Sequence, residues 1–486
     1  MKVYVAATLK GFFGRNDEVE VKGNTVKKVL DGLLGEYPDA KKGLYDENGS
    51  LRGFINIFVN DENYTDRSKW EKEFDENAEV ILIPTIAGGA AKRESIISEE
   101  RRKEITLDDK EIERFGRHLL LREIGVKGQK RIKAARVIVF GAGALASPVL
   151  QYLAAAGVGK ITVVDAGEVN TADLQSQVIH TERDINRPKA ASAKDTLRHL
   201  NKKTEVEAVN TEINAGNIEG LLEGHDVAVD CSDNYRARYL IGDACAIKGI
   251  PLVFGAVYQF EGQVSVFNFE DGPCYRCAFP EPPAPGLVPT CAEGGTISPL
   301  SGIIGSIQAN EALKLITGIG EILSGKLFVF DSLNLRSRIL KIERRETCPI
   351  CGKDPSIYEV EDFDYEDFCG LREDEGEEPV EGIEPEELAK RIDSGDPITL
   401  IDVREPHERA INRFPDAKVI PIGQLARRQK ELDPDLDTIF ICKEGKRSIL
   451  AINTLREAGY KGPMFNLKGG IDAAKDIVLS HENAWL

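Results

Sequence analysis

The sequence predicts a multi-domain α/β protein, and three patterns carry that prediction. Strand and helix patterns alternate through residues 1–89. A strand, a glycine turn and a helix open a long α/β segment at residue 136. Short strands then alternate with helical patterns over residues 381–486. The 486 residues, 42% hydrophobic and 30% charged, are enough for about three domains of roughly 100–200 residues each.

A formal net charge of −18 argues against a nucleic-acid backbone or an anionic membrane as partner. No apolar run approaches the roughly 20 residues of a membrane span. The apolar stretch Met1–Leu9 reads as a first strand rather than a signal peptide. Nine cysteines with two Cys-x-x-Cys pairs suit a reducing cytoplasm, which is the expected location.

In the first domain, residues 1–89, Lys2–Leu9 and Glu18–Val21 alternate as strands. Thr25–Leu34 spaces Val26, Val29, Leu30, Leu33 and Leu34 as a helix, and 54–59 and 80–83 are further strands. The result is a compact α+β roll. It ends in Pro-Thr-Ile-Ala-Gly-Gly at 84–89, yet Ala90 follows. Residues 90–109 are charged and read as a linker passing into a helix. Residues 353–380 are acidic, with glycine and proline, and read as an exposed linker.

The domain at 110–352 opens with the strand Arg136–Phe140, the turn Gly141-Ala142-Gly143-Ala144 and a helix, Leu145–Ala156. Glycines there let backbone N–H groups approach phosphates at a helix N-terminus, and Asp165, closing the next strand, stands where a carboxylate grips ribose hydroxyls. These features alone fit NAD as well as ATP, or a tight turn with no ligand. Arg187-Pro188-Lys189 offers a cation for phosphates. Asp233 and Asn234, in Asp230-Cys231-Ser232-Asp233-Asn234, follow a strand in a place suited to Mg²⁺.

Together with Arg114-Phe115-Gly116-Arg117-His118, Gly262–Phe267 and Gly305–Glu311, these residues resemble the ubiquitin-activating-enzyme-like adenylyltransferases that charge sulfur carriers. The resemblance implies a Rossmann-like fold binding ATP and Mg²⁺. Asp165 would hold the ribose, Lys189 the phosphates and Asp233 the magnesium. Arg117 would reach phosphates, with a homodimer as one route. Three departures stand out. Asp173 and Ser176 replace an amide and an arginine of the family, and Ala144 replaces a glycine. A missing charge clamp slows phosphoryl-transfer chemistry.

Cys274, Cys277, Cys348 and Cys351 form two Cys-x-x-Cys pairs about seventy residues apart. Four thiolates make a closed, structural Zn²⁺ site; unrelated reduced thiols or a redox pair are the alternative. Cys291 lies in a loop of small residues. The resemblance makes it an acceptor of the activated glycine, against a plain buried thiol. The six histidines show no ligand spacing.

Cys442 opens Cys442-Lys443-Glu444-Gly445-Lys446-Arg447 after a strand and before a helix at 449–458. The helix N-terminus and the cations Lys443, Lys446 and Arg447 stabilise a thiolate, in a loop shorter than a phosphatase's. With Leu400–Glu405 and Leu467–Ile471, this segment resembles rhodaneses, which carry a persulfide on that cysteine; an inactive docking fold is the alternative. The first domain resembles ubiquitin-superfamily (β-grasp) sulfur carriers, with Gly88 and Gly89 as the carrier tail.

The combined expectation is a sulfur-carrier adenylyltransferase and sulfurtransferase. ATP activates a carrier's terminal glycine, and a persulfide on Cys442 converts it to a thiocarboxylate. The product would serve cysteine, molybdopterin or thiamine synthesis, or tRNA thiolation. Thiosulfate or a cysteine desulfurase supplies sulfur. The Gly89–Ala90 bond blocks a free carboxylate, so either a separate peptidase cuts it or a second carrier is charged. A weakly adenylating scaffold, a protein-conjugating activator and an NAD-dependent oxidoreductase are the rivals.

Overall fold

The computed structural model describes residues 2–474 apart from 6–8, 15, 17, 47–48, 53–54, 61, 65–66, 76–77, 85–94, 284–293, 370–379, 411 and 415. Three sheets organise it.

The first sheet contains β1 (Lys2–Val5), β2 (Glu18–Glu20), β3 (Ile55–Val59), β4 (Glu62–Asn63) and β5 (Val80–Pro84), in the order β2-β1-β5-β3-β4. β1 and β5 are parallel and the other pairs antiparallel. The helix Val26–Glu36 starts where the Thr25 hydroxyl accepts the Lys28 N–H, at 3.3 Å, satisfying one orphan donor of the first turn. Its buried stripe is Val26, Val29, Leu30 and Leu33, packed among Val3, Ile57 and Leu82. Burying each such side chain is worth about 1.5–3 kcal/mol, so this core is the domain's own source of stability.

The central sheet contains β6 (Arg136–Phe140), β7 (Lys160–Val164), β8 (Glu205–Val209), β9 (Val227–Asp230), β10 (Leu252–Tyr258), β11 (Glu261–Phe267), β12 (Lys326–Asp331) and β13 (Arg336–Lys341). The order is β13-β12-β11-β10-β9-β6-β7-β8. From β8 to β10 the neighbours are parallel; β11 to β13 run antiparallel. β6 explains the continuous apolar run seen in the sequence. Val137 and Val139 enter the core on one face with the helix Ala146–Ala156. Ile138 and Phe140 enter the core on the other with the helix Tyr235–Lys248. A parallel strand covered on both faces has no polar side to alternate with. Strand order reverses between β6 and β9, which opens a crevice at their carboxyl ends.

The third sheet is parallel throughout: β14 (Gly382–Ile383), β15 (Ile398–Asp402), β16 (Lys418–Val419), β17 (Asp437–Ile441) and β18 (Met464–Leu467), ordered β14-β18-β17-β15-β16. Ile439 and Ile441 face one core, Phe440 and Cys442 the other. The following helix begins at Lys446, three residues before its expected start.

The first stretch read as a linker passes into a helix as expected, and both such stretches seat apolar residues in the central cores. Ile97 is buried in the central core, the helix Glu99–Glu104 follows the Ser98 cap, and Arg101 pairs with Asp226. Val360, Tyr365 and Cys369 are buried in the second central core. Charge count hid these stretches: a few apolar residues spaced among acids are enough to seat a segment. No helix of the described residues is long and apolar enough to cross a membrane.

Candidate functional sites

At the crevice, Gly141 has φ +102°, and a Cβ there would lie 2.7 Å from the Cys231 carbonyl oxygen, so only glycine fits. The Asp165 carboxylate ties two turns together. Its Oδ2 accepts the Ala142 N–H and its Oδ1 the Gly167 N–H, each at 2.7 Å. His180 braces the same turn from behind. Its Nε2–H donates to the Ala142 carbonyl at 2.9 Å, and its Nδ1 lies 2.8 Å from the Ser192 hydroxyl. Burial pushes the imidazole pKa down, which favours the neutral ring this geometry uses.

Lys189 begins the helix Lys189–Leu200, and its N–H donates to the Gly167 carbonyl at 2.9 Å. That places its stem beside the Asp165 turn. Its ammonium group, however, pairs with Asp173 Oδ2 at 3.0 Å. Arg187 is committed to Asp184 and Asp195, at 2.5 and 2.6 Å. Ser176 ends the short helical turn Thr171–Gln175.

Asp230 closes β9 as a buried carboxyl. Oδ1 accepts the Ser232 N–H and hydroxyl at 2.9 and 2.6 Å, and Oδ2 has no hydrogen-bond partner among the described residues. Burial raises its pKa. Asp233 is exposed beside it, an oxygen donor of the kind a hard cation takes. Asn234 caps the helix Tyr235–Lys248, its Oδ1 accepting the Ala237 N–H at 2.8 Å, and its Nδ2 reaches Asp233 Oδ1 at 3.3 Å.

Arg117 stands apart from this group. It lines a cleft of about 420 Å³ with Arg114, His118, Tyr152, Ser306 and Asn310. Tyr152 belongs to the far half of the helix whose first turn follows Gly141–Ala144. Within one chain, the arginine and the glycine turn therefore lie at opposite ends of that helix.

The structure brings the four expected thiols together. Cys274, Cys277, Cys348 and Cys351 have all Sγ atoms within 4.8 Å of one another, with close contacts of 3.3 to 3.8 Å. Tetrahedral bonds of about 2.3 Å place sulfurs roughly 3.8 Å apart, so the set fits Zn²⁺ with a slight opening. The loop is anchored by Arg276, buried against the rings of Phe363 and Phe368. Its Nε and Nη2 donate to the buried Asp243, at 2.9 and 2.7 Å to Oδ1 and Oδ2. Spacing marks the cysteines but not this anchor, whose rings come from the stretch where acidic composition predicts a linker.

Cys442 is fully buried, and its Sγ accepts the Gly445 N–H at 3.0 Å. Gly445 has φ +96°. The Cys442 and Lys443 carbonyls accept N–H groups of Ile471 and Asp472, at 2.8 and 3.1 Å. A Cβ on Gly470 would meet those carbonyl oxygens at 2.5 and 2.4 Å. That close approach is the physical reason for Gly470, whereas a Cβ on Gly469 would meet the Ala473 Cβ at 2.5 Å. Arg447 is buried and paired with Glu408 through both Nη atoms. No motif pointed to Glu408. Lys446 is exposed. Gly88, Gly89 and Cys291 lie outside the described residues.

Residues 115–350 match the ThiF family and residues 384–476 the rhodanese-like domain. The chain is 41% identical over 377 residues to the probable adenylyltransferase/sulfurtransferase MoeZ of Mycobacterium tuberculosis, covering 76% of this chain and 93% of that one. It is 36% identical over 381 residues to the adenylyltransferase and sulfurtransferase MOCS3 of Drosophila ananassae, covering 76% and 84%. It is 47% identical over 267 residues to the sulfur carrier protein adenylyltransferase of Thermus thermophilus, covering 54% and 98%.

Proposed function

This chain belongs to the ThiF family and carries a rhodanese-like domain behind it; from that premise we propose that it is an ATP-dependent adenylyltransferase and sulfurtransferase acting on the terminal glycine of a ubiquitin-like sulfur carrier. The observation that carries this reading is the Asp165 carboxylate, fixed by the glycine turn at the strand-order reversal. It is the place where a ribose is gripped and a triphosphate laid over backbone N–H groups.

In the first step a glycine carboxylate oxygen attacks the α-phosphorus of ATP, and pyrophosphate leaves. In the second the outer sulfur of a Cys442 persulfide attacks the acyl carbon, and AMP leaves. The resulting acyl disulfide is cleaved by a reductant thiol, giving the carrier thiocarboxylate and a new disulfide; Cys291 serves as a relay that accepts the activated glycine as a thioester before the persulfide attacks. Lys189 steadies phosphate charge, and Mg²⁺ at Asp233 neutralises more of it when bound. Zn²⁺ on the four cysteines is structural. Arg117 reaches the phosphates of a second copy in a homodimer, which its separation from Gly141 in one chain favours.

The first domain is read as a β-grasp carrier. Its order β2-β1-β5-β3-β4, parallel at the centre with one helix across the face, supports this. Its glycyl end becomes reactive once a peptidase opens Gly89–Ala90; the thiocarboxylate then feeds cysteine synthesis or a related sulfur pathway. One observation favours a weaker nucleotide site: Lys189 is already occupied by Asp173, and Ser176 brings no cation. The test is ATP–pyrophosphate exchange with a carrier ending at Gly89. Exchange that needs this carrier supports the proposal; exchange that ignores it, or none, counts against it.

A further inference from the structure

We propose that Asp173 is a gate on nucleotide binding: it occupies Lys189 until a triphosphate displaces it, so that this chain binds ATP more weakly than its phosphate lysine would otherwise allow. The inference rests on the reading of this crevice as an ATP site.

The pair is not a loose surface contact. The Lys189 and Asp173 side chains are 15% and 13% exposed, with 3.0 Å between Nζ and Oδ2. Solvent screens such a pair far less than an exposed one. The carboxylate is also held rigidly. Oδ2 accepts the Asn170 N–H at 2.9 Å, Oδ1 accepts Gln177 Nε2 at 2.7 Å, and the Asp173 N–H donates to Asn170 Oδ1 at 3.0 Å. It cannot rotate away without giving up this reciprocal cap. The lysine, by contrast, has a flexible stem, and its backbone is tied to Gly167, next to the ribose carboxylate.

A phosphate and Asp173 therefore compete for one ammonium group. Arg187 is engaged elsewhere, with Asp184 and Asp195. Ser176 adds no charge. The lysine swings to the phosphates only when their attraction exceeds that of Asp173, and the carboxylate left behind stays close to the new anion. The site is thus tuned for weak binding, which shows in the affinity for ATP rather than in the rate of turnover at saturation.

The test is calorimetric titration of the full chain with ATP and Mg²⁺, alongside the kinetics of pyrophosphate exchange. Asp173→Asn keeps the cap, since the amide oxygen still accepts, but it removes the charge; Asp173→Ser is the second variant. Both should tighten ATP binding by roughly tenfold, the scale of one partly desolvated charge pair, and lower KM with kcat little changed. In a Lys189→Met background the same substitutions should gain much less. Unchanged or weaker binding in Asp173→Asn and Asp173→Ser, while the wild type binds ATP, overturns the gate alone. So does an equal gain in the Lys189→Met background, because direct repulsion would then explain it. Failure of every protein, wild type included, to bind ATP defeats the nucleotide reading and the gate with it.

Discussion

Arg447 holds Glu408 through both of its Nη atoms, each at 2.8 Å, at the end of the loop that begins with Cys442. Its pairing with a carboxylate fixes the guanidinium in the first turn of the helix after the loop.

Breaking that pair leaves a buried charge. Glu408→Gln should destabilise the C-terminal unit by about 3 kcal/mol and slow persulfide formation, measured by denaturant unfolding and by thiosulfate turnover. The pH dependence has a definite sign. Burial pushes the Glu408 carboxyl up, but Arg447 pulls it down further, to below its ordinary 4.5. A depressed carboxyl stabilises the fold above that value and loses this contribution as pH falls through the lower one. Wild type should therefore lose stability in acid more steeply than Glu408→Gln. Parallel curves would contradict the pairing.

Cys442→Ser should abolish the gain of one sulfur atom in mass on incubation with thiosulfate, leaving the fold intact. Gly470→Ala should impair the same loading without touching the sulfur, because its methyl would press on the Cys442 and Lys443 carbonyl oxygens, 2.5 and 2.4 Å from an ideal Cβ. Normal loading in Gly470→Ala would show that the loop tolerates displacement.

The purified chain should carry one zinc, measured by elemental mass spectrometry, and chelation should lower its Tm. Cys348→Ser should do the same. Arg276→Met should lower Tm with zinc still bound, since Arg276 fixes the loop from outside the sulfur set through Asp243. A chelator that changes neither Tm nor fluorescence would remove the structural role.

His180 predicts an acid limb for nucleotide binding. Burial depresses its pKa below 6.5, so the neutral ring holds the Ala142 turn at ordinary pH. A depressed histidine contributes above its unfolded pKa and fails as pH falls through the folded one. ATP affinity in wild type should hold through pH 6.5 and weaken only as pH falls through the lower value at which the folded ring takes up a proton, and His180→Gln should flatten that limb. Equal profiles would assign the loss to another group.

Much of this architecture is legible in the amino-acid sequence. The β6 boundaries, the glycine turn, Asp165 and the four thiols follow from spacing alone, because each depends on residues near one another in sequence or on a repeated pair. Spacing does not reveal partners distant in sequence. Glu408 reaches Arg447 across 39 positions and Asp243 reaches Arg276 across 33, with nothing in either stretch to mark them. The seating of Val360 and Tyr365 is hidden for another reason: acidic composition outweighs a sparse apolar pattern. Asp173 is visible as a departure from the family, but only the fold reveals that Lys189 answers it.

The most direct test of the whole account is the intact mass of a carrier ending at Gly89 after incubation with this chain, ATP, Mg²⁺, thiosulfate and a reductant. The account predicts that one oxygen of the carrier is replaced by sulfur, that the exchange requires ATP, and that Cys442→Ser prevents it. A carrier whose mass never changes, or one that gains sulfur without ATP, would contradict it.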